Sequence, residues 1–324
     1  MSDKKFFLNV LIGFVIGMIF LTAIIWSIPE KDYFDGEYPS WRQQKDYTHT
    51  KDDRSQIIFL GDSAFKAAVI PDQLNDSAYN LSLGGAGPIE MFYSLKTYLK
   101  NHPKPQKIFV SIAPMHFIYL DRYRDRTIYF HFLDPRDQIE SQLKIFSRDK
   151  VPLIDRFWQS IDTLQFMIKF PTKYFQTIKN SELARGEINE QMYQQVKNER
   201  GHMLFGNDPE WFNHFEPHPQ LLVDFKLLQS EDYYIRQIFK LCRDNDIEVH
   251  MLQTPINHLT FEAAKNHNYF NPYQDYLRTL KNDLNVDIET DLKFYDIHFF
   301  GDHLHLNEKG AEIYTKNLKE KFNL

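Results

Sequence analysis

The apolar positions of this chain fall first in an unbroken run. From Phe6 to Ile28 no side chain is charged, and at 1.5 Å per residue a helix of that run is roughly 34 Å long, enough to cross bilayer hydrocarbon. Lys4 and Lys5 precede it, and Glu30, Lys31, Asp32, Asp35 and Glu37 follow. The positive-inside bias therefore predicts a cytoplasmic tail at 1–5, a single-pass transmembrane anchor at 6–28 and an extracytoplasmic remainder, on the cytoplasmic (inner) membrane. A cleaved signal peptide and a buried soluble helix compete with this reading. The run exceeds the usual h-region of about 7 to 15 residues, and no small-x-small cleavage site stands near Ser27.

Residues 29–55 are polar and aromatic without a sustained period, which predicts a juxtamembrane tether. The pattern then alternates. The short continuous apolar run Ile57–Leu60 suits a strand buried on both faces of a parallel sheet, and Ala78–Leu83, Lys107–Ala113 and Glu248–Thr254 are read as three further strands. Between them, Pro88–Leu99 sets Ile89, Phe92, Leu95 and Leu99 on one helical face, with Pro88 in the first turn where its missing N–H is not needed. A longer helical stretch from Leu221 to Leu241 leads into the fourth strand. The alternation predicts an α/β fold over 56–324, a mostly parallel sheet with helices on both faces. From about 117 to 218 the rhythm breaks into aromatic, charged segments containing Phe157, Trp158, Phe166, Phe170, Tyr174 and Trp211. A mostly helical insertion is expected there, its aromatic side chains serving packing.

Composition narrows the classes. The chain has 324 residues, 43% of them hydrophobic, so it can bury a full core. Lys and Arg number 38 against 44 Asp and Glu, for a net charge of -6, which offers nucleic acid no broad basic field. The single Cys242 rules out an intramolecular disulfide and a CxxC metal knuckle but leaves export open.

Candidate chemistry sits at three places. In IIFLGDSAFK, Gly61, Asp62 and Ser63 lie immediately beyond a predicted strand, where an open α/β sheet presents its functional loops. A serine at such a turn exposes its hydroxyl beside free backbone N–H groups and is a candidate nucleophile; the plain alternative is that Asp62 and Ser63 only cap the next helix. In GDHLHLNEKGAEIY, Asp302 stands three residues before His305. That spacing lets the carboxylate accept a hydrogen bond from Nδ1–H within one turn, fixing the tautomer that leaves Nε2 to act as a base toward a serine. His298, His303 and His305 raise a metal site, but no H-E-x-x-H helix or carboxylate ligand pair accompanies them, so no metal and no cofactor is expected. In YNLSLGGAGP, Gly84, Gly85 and Gly87 follow Asn80 and the second strand. They permit close backbone approach to a ligand, or form an ordinary turn, and they do not have the acidic partner of a dinucleotide fingerprint.

Taken together, the Gly61–Ser63 block, the Asn80–Gly85 segment and Asp302–His305 resemble the SGNH (GDSL-like) hydrolase superfamily over about Ile57 to Leu324. The resemblance implies a three-layer, flavodoxin-like fold, a Ser63, His305, Asp302 triad, and oxyanion donation by the Gly85 and Ser63 backbone N–H groups, with Gly84 alongside. It departs from the family at SIAPMHF (Ser111–Phe117), where a GxND block would supply an asparagine. Gly206, Asn207 and Asp208 are similar only in letters and are expected to be a loop. SIAPMHF, TPIN at Thr254–Asn257 and the anchor are similar to the membrane-anchored O-acyltransferase branch that includes the D-alanyl transfer protein of the Dlt pathway and alginate-type acetylation proteins. This likeness implies acyl transfer (O-acetyl or D-alanyl) onto a surface polysaccharide or teichoic-acid-like polymer, beside a membrane-bound O-acyltransferase partner. Asn257 becomes a candidate for the missing polar contact. The alternatives are a membrane-anchored esterase and a non-catalytic scaffold of a polymer-modification complex.

Overall fold

The computed structural model describes residues 3–51, 55–120, 123–180, 185–206, 208–217 and 219–324. The apolar run is one helix, α1 (Asp3–Ser27), with a mean hydropathy of 2.6 in its most apolar window. Its large side chains, among them Phe7, Phe14 and Phe20, are exposed. By length and composition α1 can cross a membrane.

The expected tether at 29–55 is not one. A helical turn at Glu30–Asp32 and then α2 (Tyr38–His49) belong to the folded body. Phe34 and Trp41 are buried with Tyr33 and Tyr38 in an aromatic cluster. The opposite side of α2 buries Gln43 and Gln44, whose amides donate to Tyr79 Oη (2.6 Å) and the Asn80 carbonyl (2.7 Å). Residues 52–54 lie outside the described residues.

The sheet contains β1 (Ile57–Gly61), β2 (Ala78–Asn80), β3 (Lys107–Ser111), β4 (Glu248–Leu252) and β5 (Asp287–Ile288), all parallel, in the order β2-β1-β3-β4-β5. β1 and β2 are linked by α3 (Ser63–Ala68), and β2 and β3 by α4 (Pro88–Asn101). β2 is shorter than the apolar run that predicts it, although Leu81 N–H to the Phe59 carbonyl (2.7 Å) and Leu83 N–H to the Gly61 carbonyl (2.9 Å) continue the pairing. The two-residue β5 is a strand that periodicity does not reach.

Between β3 and β4 lie a π-helical turn (Tyr123–Ile128), α5 (Pro135–Arg148), α6 (Leu153–Met167), α7 (Pro171–Asn180), α8 (Gly186–Asn198) and the crossover helix α9 (Gln229–Asp244). Helix α9 starts later than the expected Leu221. The chain then adds α10 (His258–Ala264), α11 (Phe270–Leu284) and, after β5, α12 (Glu308–Phe322). The insertion packs Ile128, Phe130, Ile145, Phe146 and Tyr174 against Tyr33, Phe34 and Trp41, so the two segments share one core.

Alternation along β1 explains the layers. Ile58 and Leu60 join Ile108, Val110 and Met251 under Leu95 of α4, Ile238 of α9 and Leu277 of α11. Ile57 and Phe59 join Phe109 and Leu252 under Phe65 of α3 and Tyr314 and Leu318 of α12. With both faces covered, a strand needs apolar residues at every position. Each such buried Leu or Phe contributes roughly 1.5–3 kcal/mol. Because the strands are parallel, the loops after β1, β2, β3 and β4 leave from one edge, and there the candidate residues gather.

Candidate active site

The first strand ends at Gly61 because nothing larger fits: a Cβ there would lie 2.6 Å from both Phe65 Cβ and the Ser111 carbonyl oxygen. Asp62, fully buried, then caps α3, its Oδ1 accepting from Ala64 N (2.9 Å) and Phe65 N (3.2 Å). Its Oδ2 accepts from Ala113 N at 2.6 Å and lies 3.5 Å from His116 Nε2. One carboxylate thus fastens the exit of β1 to the exit of β3. SIAPMHF thus contributes a backbone amide, that of Ala113, to Asp62. Ser63 is the first residue of α3, and its own amide is left out of the cap.

Some 240 residues later, Asp302 folds its turn around its own side chain. Oδ1 accepts from Leu304 N (2.8 Å) and His305 N (2.7 Å), while Oδ2 lies 2.7 Å from His305 Nδ1. His305 Nε2 is 2.8 Å from Ser63 Oγ. With Nδ1 donating to the carboxylate, Nε2 is free to accept the serine proton. Burial pushes the Asp302 carboxyl up, but the hydrogen bond and charge of His305, with the two backbone amides, outweigh it and hold the group at about 2.

The turn carrying His305 is fixed from several sides. Gly301 N–H donates to the His305 carbonyl (2.9 Å), and Asn307 caps α12 by accepting from Gly310 N (3.0 Å). Asn257 is fully buried as the cap of α10, accepting from Thr260 N, and its Nδ2 donates to the His303 carbonyl at 2.7 Å. The structure gives Asn257, expected as a substrate contact, a positioning role: each end of its amide holds a backbone group, and Thr260 Oγ1 lies 2.6 Å from the same His303 carbonyl. His298 does not join His305; it lies edge-on to Phe212.

The glycine turn leaves β2 at the sheet edge from which β1 also runs into Ser63. Gly85 takes φ +71°, a left-handed conformation that glycine adopts at low cost. The Gly84 carbonyl accepts from Trp41 Nε1 (3.2 Å) and Arg126 Nη1 (3.0 Å), so the N-terminal segment and the insertion both hold this turn.

Sequence reasoning missed the strap at 200–206. Asn80 N–H donates to the Arg200 carbonyl (2.9 Å), and Gly201, at φ +90°, packs so tightly that a Cβ would collide with the Asn80 carbonyl. The buried Lys66 Nζ donates to the Gly201 carbonyl (2.5 Å) and the Ser82 carbonyl (3.1 Å), and burial lowers this amine to about 7. Phe205 then stacks on His305, ring centroids 4.8 Å apart at 26°, and Gly206 crosses Gly301 backbone to backbone. Gly206 and Asp208 are loop residues, as read, and Asn207 lies outside the described residues. The available signal was an aromatic residue directly before a glycine.

A carboxylate, an imidazole and a hydroxyl in hydrogen-bonded series can make a serine nucleophilic. A scan against protein-family models finds no match to this chain, and a search of curated proteins finds no relative.

Proposed function

We propose that the chain is a serine-dependent acyltransferase of SGNH type, held by α1 at the outer side of the cytoplasmic membrane. It moves a short acyl group, acetyl or D-alanyl in kind, onto a hydroxyl of a cell-surface glycopolymer, working beside a membrane-bound O-acyltransferase that supplies the group. The observation carrying this reading is the unbroken series from Asp302 through His305 to Ser63 Oγ.

In the cycle, His305 Nε2 takes the Ser63 proton as Oγ attacks the acyl carbonyl, and Asp302 stabilises the imidazolium. The Ser63 and Gly85 amides receive the oxyanion, each well-placed donor contributing about 3 kcal/mol in comparable enzymes. His305 then protonates the leaving group. The acceptor hydroxyl next gives its proton to His305 and attacks the acyl-serine, restoring Ser63. Water in the acceptor's place makes the same machinery an esterase. Anchoring favours transfer, since it raises the effective concentration of a membrane-delivered donor.

The test is a serine-directed phosphonate on the full chain, followed by mapping of the adduct, alongside the acyl content of the surface polymer in cells carrying Ser63→Ala. An adduct on Ser63 and loss of polymer acylation are expected. Labelling elsewhere with unchanged polymer would refute the enzyme and favour the scaffold; an adduct on Ser63 with unchanged polymer would leave the esterase.

A further inference from the structure

Helix α6 is amphipathic in the wrong sense for a surface in water. At about 100° per residue, Leu153, Ile154, Phe157, Trp158, Ile161, Leu164 and Ile168 fall within an arc of roughly 140°, shared only with Gln165. That arc faces outward: Leu153 is 80% exposed, and Ile154, Phe157, Trp158 and Leu164 are also exposed. The other side faces the protein, with Phe166 and Met167 packed against the aromatic cluster and Asp155 and Ser160 exposed at its edges. Arg156 donates to the Val151 and Phe146 carbonyls, Asp162 pairs with Lys173 (2.6 Å), and Thr163 is buried against Gln142 (3.1 Å). Ile139 and Leu143 of α5 and Phe175 of α7 add to the exposed apolar surface.

This stripe is joined to the candidate membrane helix. Its last residue, Ile168, accepts on its carbonyl from Trp26 Nε1 at 2.9 Å. The neighbouring Lys169 stands over the Trp26 ring (4.3 Å) and pairs with Glu30 (2.5 Å), and Trp26 also stacks on His131 (5.4 Å). Trp26 lies in the last turn of α1, where a membrane-spanning helix meets the headgroups, so one end of the stripe is fixed at that level.

We infer that α6, with the exposed faces of α5 and α7, lies in the headgroup and acyl boundary of the bilayer, as a second, in-plane attachment beside α1. This rests on the anchoring part of the proposed function. An in-plane helix buries its apolar arc in the headgroup and acyl boundary and turns its other face away from the lipid. Two attachments, one vertical and one flat, fix the tilt of the domain and so the direction in which Ser63 faces the membrane.

The full chain in lipid nanodiscs tests this. Because the lone Cys242 is buried, single cysteines can be spin-labelled at Ile154→Cys and Trp158→Cys, with Phe14→Cys in α1 and Lys316→Cys in α12 as references. Collision with oxygen, which enters lipid, is compared with collision with a water-soluble nickel chelate. The oxygen-to-nickel ratio at 154 and 158 should match that at 14 and exceed that at 316 by at least about fivefold. A nickel-favoured ratio at 154 and 158 with an oxygen-favoured one at 14 overturns the inference and leaves the anchor standing. A nickel-favoured ratio at 14 as well removes the anchor and the inference with it. Low collision with both reagents at 154 and 158 means that protein, a second copy or a partner, covers the stripe, and that also overturns it.

Discussion

The ring of Phe205 lies against the ring of His305, centroids 4.8 Å apart and 26° from parallel. It comes from the strap, so the insertion supports the imidazole directly. Phe205→Ala removes an aromatic contact of about 0.5–1.5 kcal/mol. If the loss falls on the transition state, kcat drops by up to roughly tenfold. KM should stay near the wild-type value and Phe205→Tyr should restore the rate, as steady-state esterase kinetics will show.

Asp302→Asn keeps the shape of the turn but offers an amide where Nδ1 needs a carboxylate, so the ring adopts the wrong tautomer. A fall in kcat on the order of 10³–10⁴-fold is expected, with the fold intact. The carboxyl is depressed in the folded state, so its contribution to stability is present above its unfolded value of about 3.9 and disappears as pH falls through about 2. Denaturant melts should show wild type exceeding the variant by on the order of 2 kcal/mol from pH 5 upward, converging toward pH 2.

Gly301→Ala tests the crossing beneath the turn that carries His305. A methyl there meets the Gly206 backbone, which cannot swing aside as a side chain can. The turn must shift, and a displacement of about 1 Å costs on the order of 10²-fold in rate. Circular dichroism should remain that of the wild type while phosphonate labelling of Ser63 slows.

Two buried carboxyls behind the glycine turn predict the opposite pH trend. Glu90 accepts from Gly87 N (2.9 Å) and Thr127 Oγ1 (2.6 Å), whereas Glu231 Oε2 is buried without a hydrogen-bond partner. Burial raises both groups, and their mutual repulsion raises Glu231 further. A raised acid keeps in the folded state a proton that the unfolded chain releases. Stability is therefore greatest below the ordinary glutamate value of about 4.3 and declines as pH rises toward the raised values. Glu231→Gln should flatten this decline and gain roughly 1–3 kcal/mol at pH 8 relative to wild type, with little difference at pH 4, in the same melts.

How far the sequence could be read depends on whether a residue's job leaves a periodic or motif trace. Ile57–Leu60 and Pro88–Leu99 were legible because burial on two faces and on one face impose different spacings. The pairing of Asp302 with His305 was legible because three residues close a turn. Helix α2 was not, since its buried face includes Gln43 and Gln44, which satisfy Tyr79 and the Asn80 carbonyl, and an apolar stripe never forms. The part Asn257 plays as the cap of α10 and tie to the His303 carbonyl was not legible, because a helix cap and a substrate contact call for the same side chain. Phe205 left only the trace of an aromatic residue before a glycine, because its value lies in an encounter with a residue 100 positions away.

The hydroxyl of Ser63 and the ring of His305 are 242 positions apart in the chain. A polypeptide emerging amino end first displays the alcohol long before the base that would activate it. On the proposed mechanism, copies truncated before His305 therefore carry a serine with no base beside it.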